Sequence, residues 1–364
     1  MIYGLPQTRS GLALKIVALG CLLFPVACVV QPPSPPPPGP IQHVIHISVD
    51  GLRPDSVTTL GRGLAPNFFR LRDEGAFTDN ARTDALVANT LPNHAAQFTS
   101  RGVFGDDGHG LFINDDPGPP VTLRLIKGSY VAGVFDVVHD AGLSTGFYAS
   151  KSKFALFDRS WNEIFGAPDE TGADNGRDKT DVTFIDGSMS AVVSRFVTDM
   201  AQLRYVYAFL HLREPDSTGH RANWDLAAGS EYQQTVIAVD GLLGDILDLV
   251  DSDPELSDTT AIILTADHGG ELGENFHLLL PDVGLIESGI VPFYVWGATV
   301  SAGADLYALN ATTRRDPGRS IPPFSDSPQP IRNGDAANLA LDMLALPAVP
   351  DSTINTDQSL AVSN

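Results

Sequence analysis

The sequence predicts an α/β fold with a mostly parallel central sheet, on three observations. From His43 onward, short apolar runs of strand length alternate with segments of helical period, the pattern of strand–helix–strand crossovers. Hydrophobic residues make up 43% and charged residues 18% of the 364-residue chain, which suits a globular protein with a sizeable core. Acidic residues stand directly after several of the apolar runs. In open α/β sheets the carboxyl ends of the strands line the ligand crevice, so these groups could converge there without being close in sequence.

Taken in order, the chain divides into a signal segment (1–28), a proline-rich linker (29–42) and one large domain (43–355). Arg9 and Lys15 precede an apolar run, Ile16 to Val30. That run is too short for an ordinary transmembrane helix of about 20 residues and long enough for a secretion signal. Both cysteines, Cys21 and Cys28, lie inside it, so the domain has no pair to oxidise. Cys28 follows Ala27 and precedes the stretch Gln31 to Pro40, an extended polyproline spacer. This arrangement resembles a bacterial lipoprotein, exported to the periplasm or cell surface and tethered to the membrane through lipid on Cys28.

Within the domain, strands are expected at His43 to Val49, Ser144 to Ala149, Tyr205 to Leu210, Thr260 to Ala266 and Val291 to Trp296. Pro92 suits the first turn of a helix that Asn93 to Thr99 could continue. Glu231 to Val250 places Val236, Val239, Leu243, Ile246, Leu247 and Val250 on one helical face. Gly303 to Pro330 lacks clear periodicity and reads as a surface excursion before a last helix, Gly334 to Leu344. Asp50 ends the first strand, Asp216 follows the Tyr205 strand by a short loop, and Asp267 with His268 ends the Thr260 strand. His94 is expected to position the helix after Thr90, and His43 and His46 to flank the first strand. His139 and His211 have no ligand partner at a persuasive spacing. Glu271 and Glu274 read as a solvated loop, and Asp115 to Pro120 as a turn. The formal net charge of −21 repels duplex nucleic acid, but a small phosphate compound could still bind beside metal ions. The sequence does not specify an oligomeric state.

Four segments then stand out: ISVDGLRPDS with Asp50, NTLPNHAAQFTS with Thr90, EPDSTGH with Asp216 and His220, and TADHGGELGENFH with Asp267, His268 and His277. Together, and in this order, they resemble the alkaline phosphatase superfamily, and within it the type I phosphodiesterase and nucleotide pyrophosphatase family. The resemblance implies a three-layer sandwich like that of alkaline phosphatase. It implies two divalent metal ions, one on Asp216, His220 and a third histidine, the other on Asp50, Asp267, His268 and the Thr90 oxygen. The family places the third histidine downstream of the Asp-His pair, and His277 is the only histidine after His268. Imidazole and carboxylate ligands suit zinc.

The resemblance further implies that Thr90 is the nucleophile and that Asn114 hydrogen-bonds a phosphate oxygen. Lys151 and Lys153, in YASKSKF, resemble the Lys-x-Lys or Lys-x-Arg substrate contacts of the phosphonate-cleaving and monoesterase branches. Read without the family, Asn89 or Thr90 is a helix N-cap, Asn114 a turn residue and the lysines exposed side chains. The expected function is hydrolysis of a small phosphate ester through a phosphothreonine intermediate, leaning slightly to diester or pyrophosphate substrates. Leu91 stands where the family usually has an aromatic residue that stacks on a base, which weakens a nucleotide assignment. The alternatives are a phosphomonoesterase or phosphonate hydrolase of the same superfamily, and a non-enzymatic surface lipoprotein that kept the fold.

Overall fold

The computed structural model describes residues 41–169, 176–279 and 285–363. The signal segment, Cys28 and residues 29–40 of the linker lie outside the described residues. Eight strands form one sheet: β1 (His43–Val49), β2 (Ala76–Arg82), β3 (Thr145–Ala149), β4 (Val182–Ile185), β5 (Tyr207–Leu212), β6 (Thr260–Thr265), β7 (Ile290–Gly297) and β8 (Ala304–Asp305). Their spatial order is β4-β3-β5-β1-β6-β7-β2-β8. The first five run parallel and β7 is antiparallel to both β6 and β2. The expected mostly parallel sheet is therefore observed.

The centre of the sheet follows from sequence. β1 (HVIHISV), β5 (YAFLHL) and β6 (TAIILT) are buried along their whole length, as strands covered on both faces must be. Helices α1 (Pro54–Leu64), α2 (Pro66–Asp73), α7 (Met189–Leu203), α8 (Glu214–Ala222) and α9 (Glu231–Ser252) pack together on one side of the sheet. On the other side α3 (Thr90–Thr99), α5 (Val134–Asp140) and α11 (Asp335–Met343) pack together, with the short α4 (Leu123–Lys127) and α6 (Ala155–Ser160) in contact with each other. This is the expected three-layer arrangement. Phe98 of α3 lies edge-on to Phe209 of β5 at 4.6 Å between ring centroids and also meets Phe135, Phe147, Phe157 and Trp161. That aromatic cluster fixes α3, and with it Thr90, over the middle of the sheet.

Several expectations need correction. β2, β4 and β8 carry no strong apolar run and were not anticipated. His43 and His46 do not flank β1 but lie buried within it, with Nδ1 on the Tyr205 carbonyl and the Tyr207 hydroxyl, each at 2.8 Å. Residues 303–330 are more than a surface excursion. They contain β8 and α10 (Leu306–Leu309), whose Leu306 and Tyr307 reach the core. The core also takes in Ile41 and Leu360.

Candidate metal-dependent active site

β1 pairs in parallel with β5 on one side and β6 on the other, with Val49 opposite Leu212 and Ser48 opposite Thr265. The register brings the ends of all three strands to one place. Asp50 follows β1, Asp267 and His268 follow β6, and α8 begins two residues after β5, carrying Asp216 in its first turn and His220 one turn later. Gly51 makes this convergence possible: its φ is +69°, and a Cβ there would lie 2.8 Å from the Asp216 Cα. Its N–H donates to Asp267 Oδ1 at 3.1 Å.

Each expected histidine ligand is held in the same way. His268 Nδ1 lies 2.8 Å from the Gly269 carbonyl, His220 Nδ1 2.7 Å from that of Asn275, and His277 Nδ1 2.6 Å from that of Ala88. A carbonyl only accepts, so each Nδ1 carries a proton, and in the neutral ring it is Nε2 that presents the lone pair. The three Nε2 atoms face Asp216 Oδ1 at 3.3 Å (His220), 3.8 Å (His268) and 3.9 Å (His277). His268 Nε2 is also 3.4 Å from Asp50 Oδ1 and 3.3 Å from Asp267 Oδ2.

Four of these buried atoms, Asp50 Oδ1, Asp216 Oδ1, Asp267 Oδ2 and His268 Nε2, have no hydrogen-bond partner. Orphaned lone pairs that face one another are costly unless a cation lies between them. Zinc with ligands at about 2.0–2.1 Å in a tetrahedron spaces them about 3.3–3.4 Å apart, close to the shorter separations here. The residues present therefore fit a divalent metal. Among the described residues two groups are tight enough to hold one: Asp50, Asp267 and His268, and Asp216, His268 and His277. The first brings together the three side chains named with Thr90 for one ion. In the second, His268 stands where His220 was expected, while the His220 side chain remains 43% exposed and touches Asp216 from outside.

Charge supports the same reading. Burial pushes the Asp267 carboxyl well above its ordinary range, and the charges of Asp50 and Asp216 add to this while Lys151 opposes it. Burial would also raise Asp50, but Lys151, His211 and His268 outweigh it and hold the group well below its usual value. Lys151 Nζ sits 2.6 Å from both Asp50 Oδ2 and Asp216 Oδ2. Burial, then neighbouring His268, lowers His277 to about 3, so its imidazole is neutral at ordinary pH.

Thr90 opens α3 and is 1% exposed. Its carbonyl accepts from His94 Nδ1 at 2.8 Å, and that nitrogen lies 3.6 Å from Asp267 Oδ2; His94 Nε2 is held by the Ser48 hydroxyl at 2.8 Å. His94 thus ties the helix to both β1 and the carboxylates. Asn114 Oδ1 accepts from the Leu91 N–H at 3.0 Å, which places this side chain beside Thr90. Lys153 Nζ bonds the Asn114 carbonyl and side-chain oxygens, each at 3.1 Å.

Three contributors were missed in the sequence. His211 Nε2 lies 2.8 Å from Asp50 Oδ2, a contact between neighbouring strands that spacing does not reveal. Asn333 donates from Nδ2 to the Ala266 and Asp267 carbonyls at 3.2 Å each. Glu271 is buried rather than solvated, accepting from the Ser288 N–H at 3.2 Å and hydroxyl at 3.1 Å; Glu274 is exposed as expected.

The sequence profile of the type I phosphodiesterase / nucleotide pyrophosphatase family matches residues 44–114 and 140–316, the segments that carry Thr90, Asn114, both lysines and all the expected Asp and His ligands. The chain belongs to that family. No curated protein matches it in sequence. Among solved structures it resembles murine ectonucleotide pyrophosphatase/phosphodiesterase 5, with a TM-score of 0.58 at 14% identity over 89% of this chain and 100% of that one. An inactive variant of the murine protein in complex with AMP gives 0.55 at 14% identity, over 85% and 96%. A putative sulfatase from Bacteroides thetaiotaomicron gives 0.56 at 13% identity, over 89% and 75%. These likenesses place the fold among alkaline-phosphatase-like proteins, and the family is one of phosphoester hydrolases.

Proposed function

We propose that this member of the family hydrolyses small phosphate esters with two divalent metal ions, zinc by ligand type, and with Thr90 as nucleophile. The observation that carries the reading is the convergence of unpaired Asp50, Asp216, Asp267 and His268 atoms beside the first residue of α3. Asp216, His220 and His277 would hold one ion and Asp50, Asp267, His268 and Thr90 the other. When bound, the ions supply Lewis acidity and lower the cost of an alkoxide nucleophile and of the leaving oxygen's charge.

The chain's own groups do the rest. The positive end of α3 favours an anionic phosphate and a deprotonated Thr90 hydroxyl. Attack by Thr90 Oγ on phosphorus forms the Thr90–phosphate ester and breaks the bond to the leaving group; attack by water on that ester restores the hydroxyl and releases phosphate or a phosphomonoester. Asn114, whose side chain bonds the Leu91 N–H beside Thr90, would donate from its amide to an equatorial oxygen. AMP in the murine complex supports a small phosphate ester as substrate. Lys151 and Lys153 are both engaged by protein oxygens, so neither is a free cation kept for a second phosphoryl charge. That supports a lean to diesters.

The test is hydrolysis of bis(p-nitrophenyl) phosphate and p-nitrophenyl phosphate by the zinc-loaded protein, wild type and Thr90→Ala. Wild type should prefer the diester, and the variant should lose turnover by orders of magnitude while keeping its zinc. A fully active Thr90→Ala would overturn the assignment. We further propose export and lipidation at Cys28; mass spectrometry of the mature N-terminus should find the modified cysteine, and an unmodified peptide beginning beyond Cys28 would refute it.

A further inference from the structure

We infer that Lys153 is a positioning residue that acts through Asn114 and does not contact the phosphoryl group. The inference rests on the phosphoester-hydrolase reading above. Asn114 Oδ1 receives two donors, the Leu91 N–H at 3.0 Å and Lys153 Nζ at 3.1 Å. Two donors on one atom fix which end of the amide is oxygen, because the flipped amide would set N–H against N–H and against an ammonium. Nδ2 is therefore turned away from Leu91 N, and its two hydrogens remain available to a ligand beside Thr90.

Lys153 does more than orient. Its second contact is the Asn114 backbone carbonyl, also at 3.1 Å, so main chain and side chain of Asn114 are gripped by one ammonium. Asn114 lies in an irregular loop, outside any helix or strand of its own. Among the described residues, the other hydrogen bond to its side chain comes from the start of α3. A hydrogen bond to a charged donor also polarises the amide, making Nδ2–H a stronger donor. Lys151, two residues earlier, points to Asp50 and Asp216 instead. The pair thus splits between the carboxylates and the asparagine.

A double-mutant cycle decides between this role and direct substrate contact. Turnover of bis(p-nitrophenyl) phosphate would be measured for wild type, Lys153→Met, Lys153→Arg, Asn114→Ala and the Lys153→Met/Asn114→Ala double variant, with thermal unfolding as a check on folding. Asn114→Ala should lower kcat by about 10²-fold, as removal of one oxyanion donor does. Lys153→Met should lower kcat by roughly tenfold with little change in KM, Lys153→Arg should recover part of it, and the double variant should be no worse than Asn114→Ala. Losses that multiply in the double variant, a Lys153→Met effect confined to KM, or no effect at all would overturn the inference. If zinc-loaded wild type hydrolyses no phosphate ester, the functional reading itself fails, which is a separate outcome.

Discussion

His46 and His109 are neutral bases sealed in protein, and they give the fold a pH dependence of known sign. Burial lowers both to about 3; the neighbouring Gln97 side chain opposes it at His46, and Arg101 adds to it at His109. Unfolded, each would titrate near 6.5. Between pH 6.5 and about 3 the unfolded chain therefore holds one more proton per histidine, and stability falls as pH falls, by about 1.4 kcal/mol per pH unit for each. Urea unfolding of the metal-free protein should show this slope, and His46→Leu should remove one proton's share of it. An unchanged slope would show that His46 charges without unfolding. The same residue types were unequally readable in the sequence. His94 could be assigned because it lies one helical turn from Thr90, but His211 reaches Asp50 only through the pairing of β5 with β1.

Trp224 joins three of the loops that carry the site. Its Nε1 donates to the Gly51 carbonyl at 3.2 Å, and a Cβ on Gly219 or Gly270 would lie 2.1 or 2.2 Å from its indole. The loop after β1, helix α8 and the loop after β6 are thus spaced by one buried ring. Its centroid is 5.0 Å from that of His220 and 6.3 Å from that of His277. Zinc binding should therefore change Trp224 fluorescence, a response that Trp224→Phe should abolish. Gly270→Ala should force the ring away and require at least about fivefold more zinc for the same response, since overpacking costs roughly 1–3 kcal/mol. Identical titrations in wild type and Gly270→Ala would remove Trp224 as the spacer. No motif announces this residue; its role depends on which glycines the topology sets against it. The elements themselves were legible where burial is two-sided: β1, β5, β6 and α9 match expectation closely. The missed strands are β2 (AFTDNAR), whose consecutive polar residues Thr78, Asp79 and Asn80 disguise it, and the short β4 and β8 at the two ends of the sheet.

Viewed as one body, the molecule spends stability on its site. An acidic chain of net charge −21 buries three carboxylates, Asp50, Asp216 and Asp267, against only one bridging ammonium. Without a cation this arrangement opposes folding, and with one it contributes, since a ligand bound only by the folded state stabilises by about 2.7 kcal/mol at a hundredfold excess over Kd. The order of the four quoted motifs made this cluster readable, because each acid follows a strand or begins a helix. The cost of the cluster was not readable, because it depends on burial and on lone pairs that face each other. Asp267→Asn isolates that cost. The new amide oxygen can still accept from the Gly51 and His268 N–H groups that now bond Oδ1, and its NH₂ would meet the His268 Nε2 lone pair 3.3 Å away. It removes a carboxyl that burial and the charges of Asp50 and Asp216 push well above its ordinary range. The metal-free variant should therefore melt at or above the metal-free wild type, while the rise in midpoint on adding zinc should shrink sharply. A metal-free variant that melts below wild type, together with an undiminished response to zinc, would show that Asp267 is a structural carboxylate and that the cation is held elsewhere.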